Sequence, residues 1–149
     1  MKKLLLLLFL IPNVIFALPV TIDKYITEHS LWNSSDRKSL SYITLRCGVL
    51  SKVIAGQYKN IANAQEIYNT SVMNASIFSR VSSDIYKTSC INFECIKVEE
   101  KASQKKAKKW TVIYKEEIVE NIKIYNEIVH GDIKSDFSTC NSKIKPILQ

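Results

Sequence analysis

Glu127-Ile128-Val129-His130 places a carboxylate and an imidazole three residues apart, the step that on a helix supplies part of a di-iron carboxylate site. On one continuous helix Glu116 and Glu120 would fall in the same arc of about 80°. Such a site needs a second step of the same kind, and the other histidine, His29, has Ile26 where the glutamate would have to be. The acidic arc is also centred opposite the apolar face of Ile118, Tyr125 and Val129. Lys123 sits within it at ordinary ion-pair spacing from Glu120 and Glu127. The pattern predicts a solvated helix face, with no metal and no cofactor.

Lys101, Lys105, Lys106, Lys108 and Lys109 run up to Trp110. On a helix four of these lysines point to one side and Trp110 to the other, which predicts an exposed basic face backed by a core tryptophan. The same face suits an anionic membrane or another polyanion. Nucleic-acid binding calls for aromatics interleaved with the basic groups on one face, and none are there, so no nucleic-acid partner is expected. A Ser-His or Cys-His nucleophile would have to use His29 or His130, and no nucleophile turn accompanies either. No catalytic residue is therefore assigned. A small extracytoplasmic hydrolase using paired carboxylates stays open as an alternative; it would need two inward acids about 5–9 Å apart in a cleft. Sequons occur at Asn33, Asn69 and Asn74.

The chain opens MKKLLLLLFLIPNVIFALPV. Lys2 and Lys3 followed by an apolar run to Phe16 read as a signal peptide over 1–17, with cleavage near Ala17. The run is too short, and too interrupted by Pro12, for the roughly 20 residues that cross a bilayer. Residues 18–149 are expected to be an exported domain, secreted or periplasmic, with no transmembrane segment in the mature chain. Losing Lys2 and Lys3 removes two charges from the formal +7.

Export changes how Cys47, Cys90, Cys95 and Cys140 are read. An even number of cysteines in an oxidising compartment favours disulfides over catalysis or metal binding. The close pair, Cys90 and Cys95, lacks the spacing of a zinc knuckle. Two cysteines five apart inside one helix would point about 140° away from each other, so they can bond only where the backbone is irregular. Thr88, Ser89 and Asn92 allow such a break. Of the three possible connectivities, the preferred one joins Cys90 to Cys95 as a loop staple and Cys47 to Cys140 as a tie between the first long helix and the C-terminal segment. The second bridge closes a loop of roughly 90 residues, worth on the order of 4 kcal/mol in the chain-entropy model.

These features need elements to hold them. With 149 residues, 46% hydrophobic, and only three Gly and three Pro, the chain lacks the punctuation of many short strands. The expected class is all-α, a single small domain of four to five helices stapled by two disulfides. Asn33 to Asp36 form a capping cluster before a helix over 36–58, whose Leu40, Ile43, Cys47, Leu50, Ile54 and Tyr58 share an arc of about 80°. Tyr42, Val49 and Val53 mark a second buried side, and Gly48 and Gly56 suggest close approach by a neighbour. A helix from about residue 61 should bend or break near Asn74, where its apolar stripe shifts face. Ile91, Phe93 and Cys95 alternate as a loop or short strand. A helix from about Val98 then carries Trp110, Tyr114, Ile118, Ile122, Tyr125 and Val129 on one face to a C-cap at Gly131. Asp132 starts a last helix that Pro146 ends. Residues 18–32 read as an extended or partly helical lead-in.

Leu45-Arg46-Cys47 with Leu50, together with Phe137-Ser138-Thr139-Cys140-Asn141, resembles a type of small exported helical protein of marine bacteria and their phages. Those proteins share an Arg-Cys step in an early helix and a second cysteine near the C-terminus; Cys90 and Cys95 depart from the pattern. The resemblance implies a helical fold and a first-to-last disulfide, and it carries no activity. The expected function is non-enzymatic binding to a protein or cell-envelope partner. Association of Lys101 to Lys109 with an anionic membrane is a further alternative.

Overall fold

The computed structural model describes residues 20–29 and 37–148. The expected leader over 1–17, the cleavage expected near Ala17 and the expected capping cluster Asn33 to Asp36 lie outside the described residues. All regular structure among those described is helical: α1 (Ile22–Glu28), α2 (Arg37–Tyr58), α3 (Gln65–Ser89), α4 (Phe93–Tyr125) and α5 (Gly131–Thr139). The chain closes with a π turn, Cys140–Ile144, and a 3-10 turn, Lys145–Leu148.

Helix α2 is the centre of the packing, because it has apolar residues on more than one face. Val49, Leu50, Val53 and Ile54 meet Trp110, Tyr114 and Ile118 of α4 and Ile133 of α5. Ile43 and Cys47 face a second cluster with Ile22 and Ile26 of α1, Phe78 of α3, Cys140 and Ile144. The lead-in is thus helical where it matters, since Ile22 and Ile26 are both fully buried. The π turn puts Cys140 and Ile144 on one side of the backbone, where both enter the second cluster. The α-helix itself therefore stops at Thr139, and Pro146 sits inside the 3-10 turn instead of ending a continuous helix.

Helix α3 runs uninterrupted through Asn74, where a bend or break was expected. Its buried face is Ser71, Asn74, Phe78 and Ser82, mostly small polar residues that an apolar pattern does not reveal. Small side chains let α2 and α3 approach closely. A Cβ added at Gly48 would stand 2.9 Å from Ser79 Oγ and 3.3 Å from the Ser79 backbone nitrogen, whereas one added at Gly56 would meet nothing within 4 Å. Only Gly48 marks close approach. Hydroxyls bridge the same seam: Ser41 Oγ donates to the Ser82 carbonyl at 3.3 Å, and Ser82 Oγ donates back to the Ser41 carbonyl at 2.9 Å.

The connection from α3 to α4 is a tight turn, and no strand forms there. Asn92 caps α4, its side chain accepting from the Cys95 N–H at 2.9 Å, so the helix begins at Phe93 and not near Val98. At the other end Asn126 takes the left-handed conformation, φ 55°, and its N–H bonds the Ile122 carbonyl. Asn tolerates that conformation better than most residues and makes a C-cap there. The helix accordingly ends at Tyr125, short of Val129, and Gly131 opens α5 instead of capping α4. Ile122 and Tyr125, which continue the apolar stripe, are 39% and 50% exposed.

Candidate functional site

A dense polar network among the described residues is buried. Arg46 lies on the buried surface of α2 and is only 2% exposed. Its Nη2 pairs with Asp136 Oδ2 of α5 at 2.8 Å, its Nη1 donates to the Val20 carbonyl at 2.9 Å, and its Nε donates to the Tyr114 hydroxyl at 3.2 Å. Tyr114, from α4, donates to Asp136 Oδ2 at 2.8 Å, and the Ile22 N–H donates to Asp136 Oδ1 at 2.6 Å. The guanidinium carbon rests 3.8 Å from the centroid of the Trp110 ring. One planar cation thus ties the lead-in, α2, α4 and α5 together through donors in fixed directions, which a lysine could not do.

Burial lowers the Arg46 pKa, but the adjacent Tyr114 and Asp136 outweigh it and leave the group above its ordinary value. Burial drives Tyr114 well above the normal phenol range. The Asp136 carboxyl is raised by burial, against Arg46, the Ile22 N–H and the Tyr114 hydroxyl, which pull it down. The donors facing both carboxylate oxygens favour the ion pair, so the cluster is a structural knot with its charges compensated.

Sequence reasoning missed this pairing. The signal was Arg46 itself, a cation beside Cys47 on a helix expected to be buried on several sides, which demands a buried anion. Asp136 stands 90 residues away, and nothing local marks it as that anion. Cys47, the next residue, bonds Cys140 with a Cα–Cα distance of 5.6 Å. The Arg-Cys step therefore holds an ion pair and a disulfide on adjacent residues.

The other expected sites fall as follows. Cys90 bonds Cys95, with Cα atoms 5.5 Å apart, because Cys90 lies just past α3 in extended backbone while Cys95 sits in the first turn of α4. His130 Nδ1 meets Glu127 Oε2 at 3.0 Å, and its ring stacks on Tyr125 with centroids 3.8 Å apart. Both residues lie beyond the end of α4, so the helical arc that was to join them to Glu116 and Glu120 does not exist. Among the described residues no group of three or more His, Cys, Asp or Glu is placed to hold a metal ion. Lys101, Lys105, Lys106, Lys108 and Lys109 are all exposed, and Trp110 is buried. Asn74 is fully buried and donates to Asn141 Oδ1 at 2.7 Å, so its sequon is closed to a glycan, while Asn69 is exposed.

A cavity of about 400 Å³ opens between the start of α2, the end of α3 and the first half of α4, lined by Arg37, Ser41, Tyr42, Tyr86, Glu99 and Lys106 with the Cys90–Cys95 bridge in its wall. Among the described residues lining it Glu99 is the one carboxylate, so the cleft offers no carboxylate pair. Glu117, whose carboxyl is also raised, lies outside this cleft. Burial, then repulsion from Asp132 and Asp136, pushes its carboxyl up to about 7.

A raised acid makes the folded state hold a proton that the unfolded chain has already released. Stability should therefore fall as pH rises from about 4.5 to about 7, and the penalty persists above that. Glu117→Gln is expected to remove this slope and to stabilise the protein at pH 8 by about 1 kcal/mol, after discounting for the solvent around a half-buried group. Urea denaturation of both proteins at pH 5 and pH 8 measures it. Equal pH dependence in the two would refute the assignment.

Helices and bonding define the class: an all-α bundle with two disulfides, organised around a buried arginine. The chain matches no protein-family model, no curated protein and no solved structure. No helix among the described residues is long and apolar enough to cross a membrane.

Proposed function

We propose that the chain is an exported, non-enzymatic module that works by contact with a cell-envelope surface or a protein held there. The observation that carries this reading is the division of its polar groups. Arg46, Tyr114 and Asp136 are committed to holding helices together, while the chain's densest run of charge, Lys101 to Lys109, stands on an exposed helix face. The leader over 1–17 and two closed disulfides support export to a secreted or periplasmic location. The resemblance to small exported helical proteins of marine bacteria and their phages agrees with it.

The test uses the oxidised chain from Leu18 to Gln149, mixed with envelope fractions of a Gram-negative bacterium and sedimented. The chain is expected to pellet with the envelope, and to be released when Lys105 and Lys108 are both changed to Glu. Recovery of the unaltered chain in the supernatant from every fraction would sink the reading.

A further inference from the structure

Helix α4 has 33 residues, about 50 Å of length at 1.5 Å per residue. Trp110, Tyr114, Ile118 and Asn121 face the core along its second half. No residue of α4 before Trp110 is buried, so the first half projects along the groove wall with its outer face in water. On the arc opposite the core residues, Lys101, Lys105, Lys108 and Lys109 line up with Lys97 before them and Lys115 after them, all exposed. Glu94 and Glu116 share that arc, and lysines outnumber acids on it. Lys106 is turned aside, toward Tyr25 and Tyr42. Val98 and Val112 stand in the same row, 65% and 54% exposed.

The end of this row is apolar. Ile91 is 100% exposed and Phe93 is 67% exposed, at the turn between α3 and α4. The Cys90–Cys95 bridge closes that turn and the Asn92 cap fixes it, so both side chains are presented by a backbone that is already ordered. The Lys97 ammonium lies 4.7 Å from the Phe93 ring centroid.

Resting on the envelope-contact reading, we propose that the outer face of α4 docks on an anionic lipid bilayer, with Ile91 and Phe93 entering the acyl boundary and the lysine row lying over the headgroups. Two observations select a bilayer among polyanions. A hydrated anionic polymer would satisfy the lysines but offer nothing to the two apolar side chains at the tip. A bilayer satisfies both, and one weak apolar anchor joined to a basic row supplies the two signals that stable surface attachment takes. Lys97 can keep its ammonium at headgroup level while its methylenes follow the Phe93 ring inward.

The experiment is co-sedimentation of the oxidised mature chain with large vesicles of phosphatidylglycerol and phosphatidylcholine in equal parts, and with vesicles of phosphatidylcholine alone. Binding is expected on the mixed vesicles only, weakening about tenfold or more between roughly 50 and 500 mM salt. Lys105→Glu with Lys108→Glu should lower affinity for the mixed vesicles by about tenfold or more. Ile91→Ser with Phe93→Ser should also weaken binding while leaving its salt dependence in place. All four positions are exposed, and unchanged melting curves verify that each variant is folded. Equal binding to both vesicles, indifference to salt, or full affinity in either double variant overturns the proposal. If the chain sediments with envelopes but not with vesicles, the bilayer is the wrong partner and the envelope reading stands; failure on both removes the two together.

Discussion

Asp136→Ala is expected to destabilise the protein by about 3–5 kcal/mol, the largest effect of any single substitution proposed for it. The change leaves the Arg46 guanidinium 2% exposed with its anion gone, and it also strips the Tyr114 hydroxyl and the Ile22 N–H of their acceptor. Neither can recruit water without opening the seam between α2, α4 and α5. The loss measures an abandoned charge more than the worth of the pair, because desolvation offsets much of the attraction in a buried bridge. Replacing both partners, Arg46→Met with Asp136→Leu, should therefore recover a large part of the stability lost in the single variant. Urea unfolding of the two singles and the double, read as a double-mutant cycle, separates these terms. A loss below about 1 kcal/mol for Asp136→Ala would mean the charges reach solvent.

The second large effect belongs to the Cys47–Cys140 bridge, and its size relative to Cys90–Cys95 is the informative quantity. The sequence separations are 93 and 5 residues. Chain entropy then gives about 4.6 kcal/mol for the long loop and about 2 kcal/mol for the short one. Packing widens the gap, since Cys47 and Cys140 are fully buried among Ile22, Ile26, Ile43 and Phe78, while Cys90 and Cys95 are half-buried at a turn. Cys47→Ala with Cys140→Ala should lower the melting temperature by about 10–20 °C. Cys90→Ser with Cys95→Ser should cost less than half as much. Equal losses in differential scanning calorimetry would contradict the loop-length argument. Mild thiol treatment of the native protein is expected to open the accessible Cys90–Cys95 bridge first.

What could be read locally was read correctly at the centre of the fold. Of the stripe through Leu40, Ile43, Cys47, Leu50, Ile54 and Tyr58, the four middle residues are buried in the core and Tyr58 packs against it, because α2 is surrounded by neighbours; Leu40 is half-buried. Even number and spacing favour, among three connectivities, the two cysteine pairs that form, and Asn92 supports the break that Cys90–Cys95 needs. Helix α3 shows the opposite case: its core face of Ser71, Asn74, Phe78 and Ser82 has one large apolar residue. It is selected by how closely it can approach Gly48, a property of the pair of helices and not of either alone. The end of α4 fails for a related reason. Ile122 and Tyr125 extend the stripe, but the left-handed Asn126 cuts the helix and turns the chain into α5.

By itself the sequence determined the helical class, the burial of α2 on several sides and the exposure of the lysine row from Lys101 to Lys109. Each depends on residue type and periodicity within a few turns of chain. Only the tertiary structure decided that Arg46 finds Asp136 and Tyr114, that Glu117 meets other acids at the α4–α5 junction, and that Ile91 and Phe93 stand in water at the end of a basic face. The first depends on residues brought together across 22 to 90 positions, the second on acids from two helices, and the third on how α3 and α4 meet at their turn. Charge and burial act through space, so the groups with the strongest electrostatic consequences are the ones that local pattern could not pair.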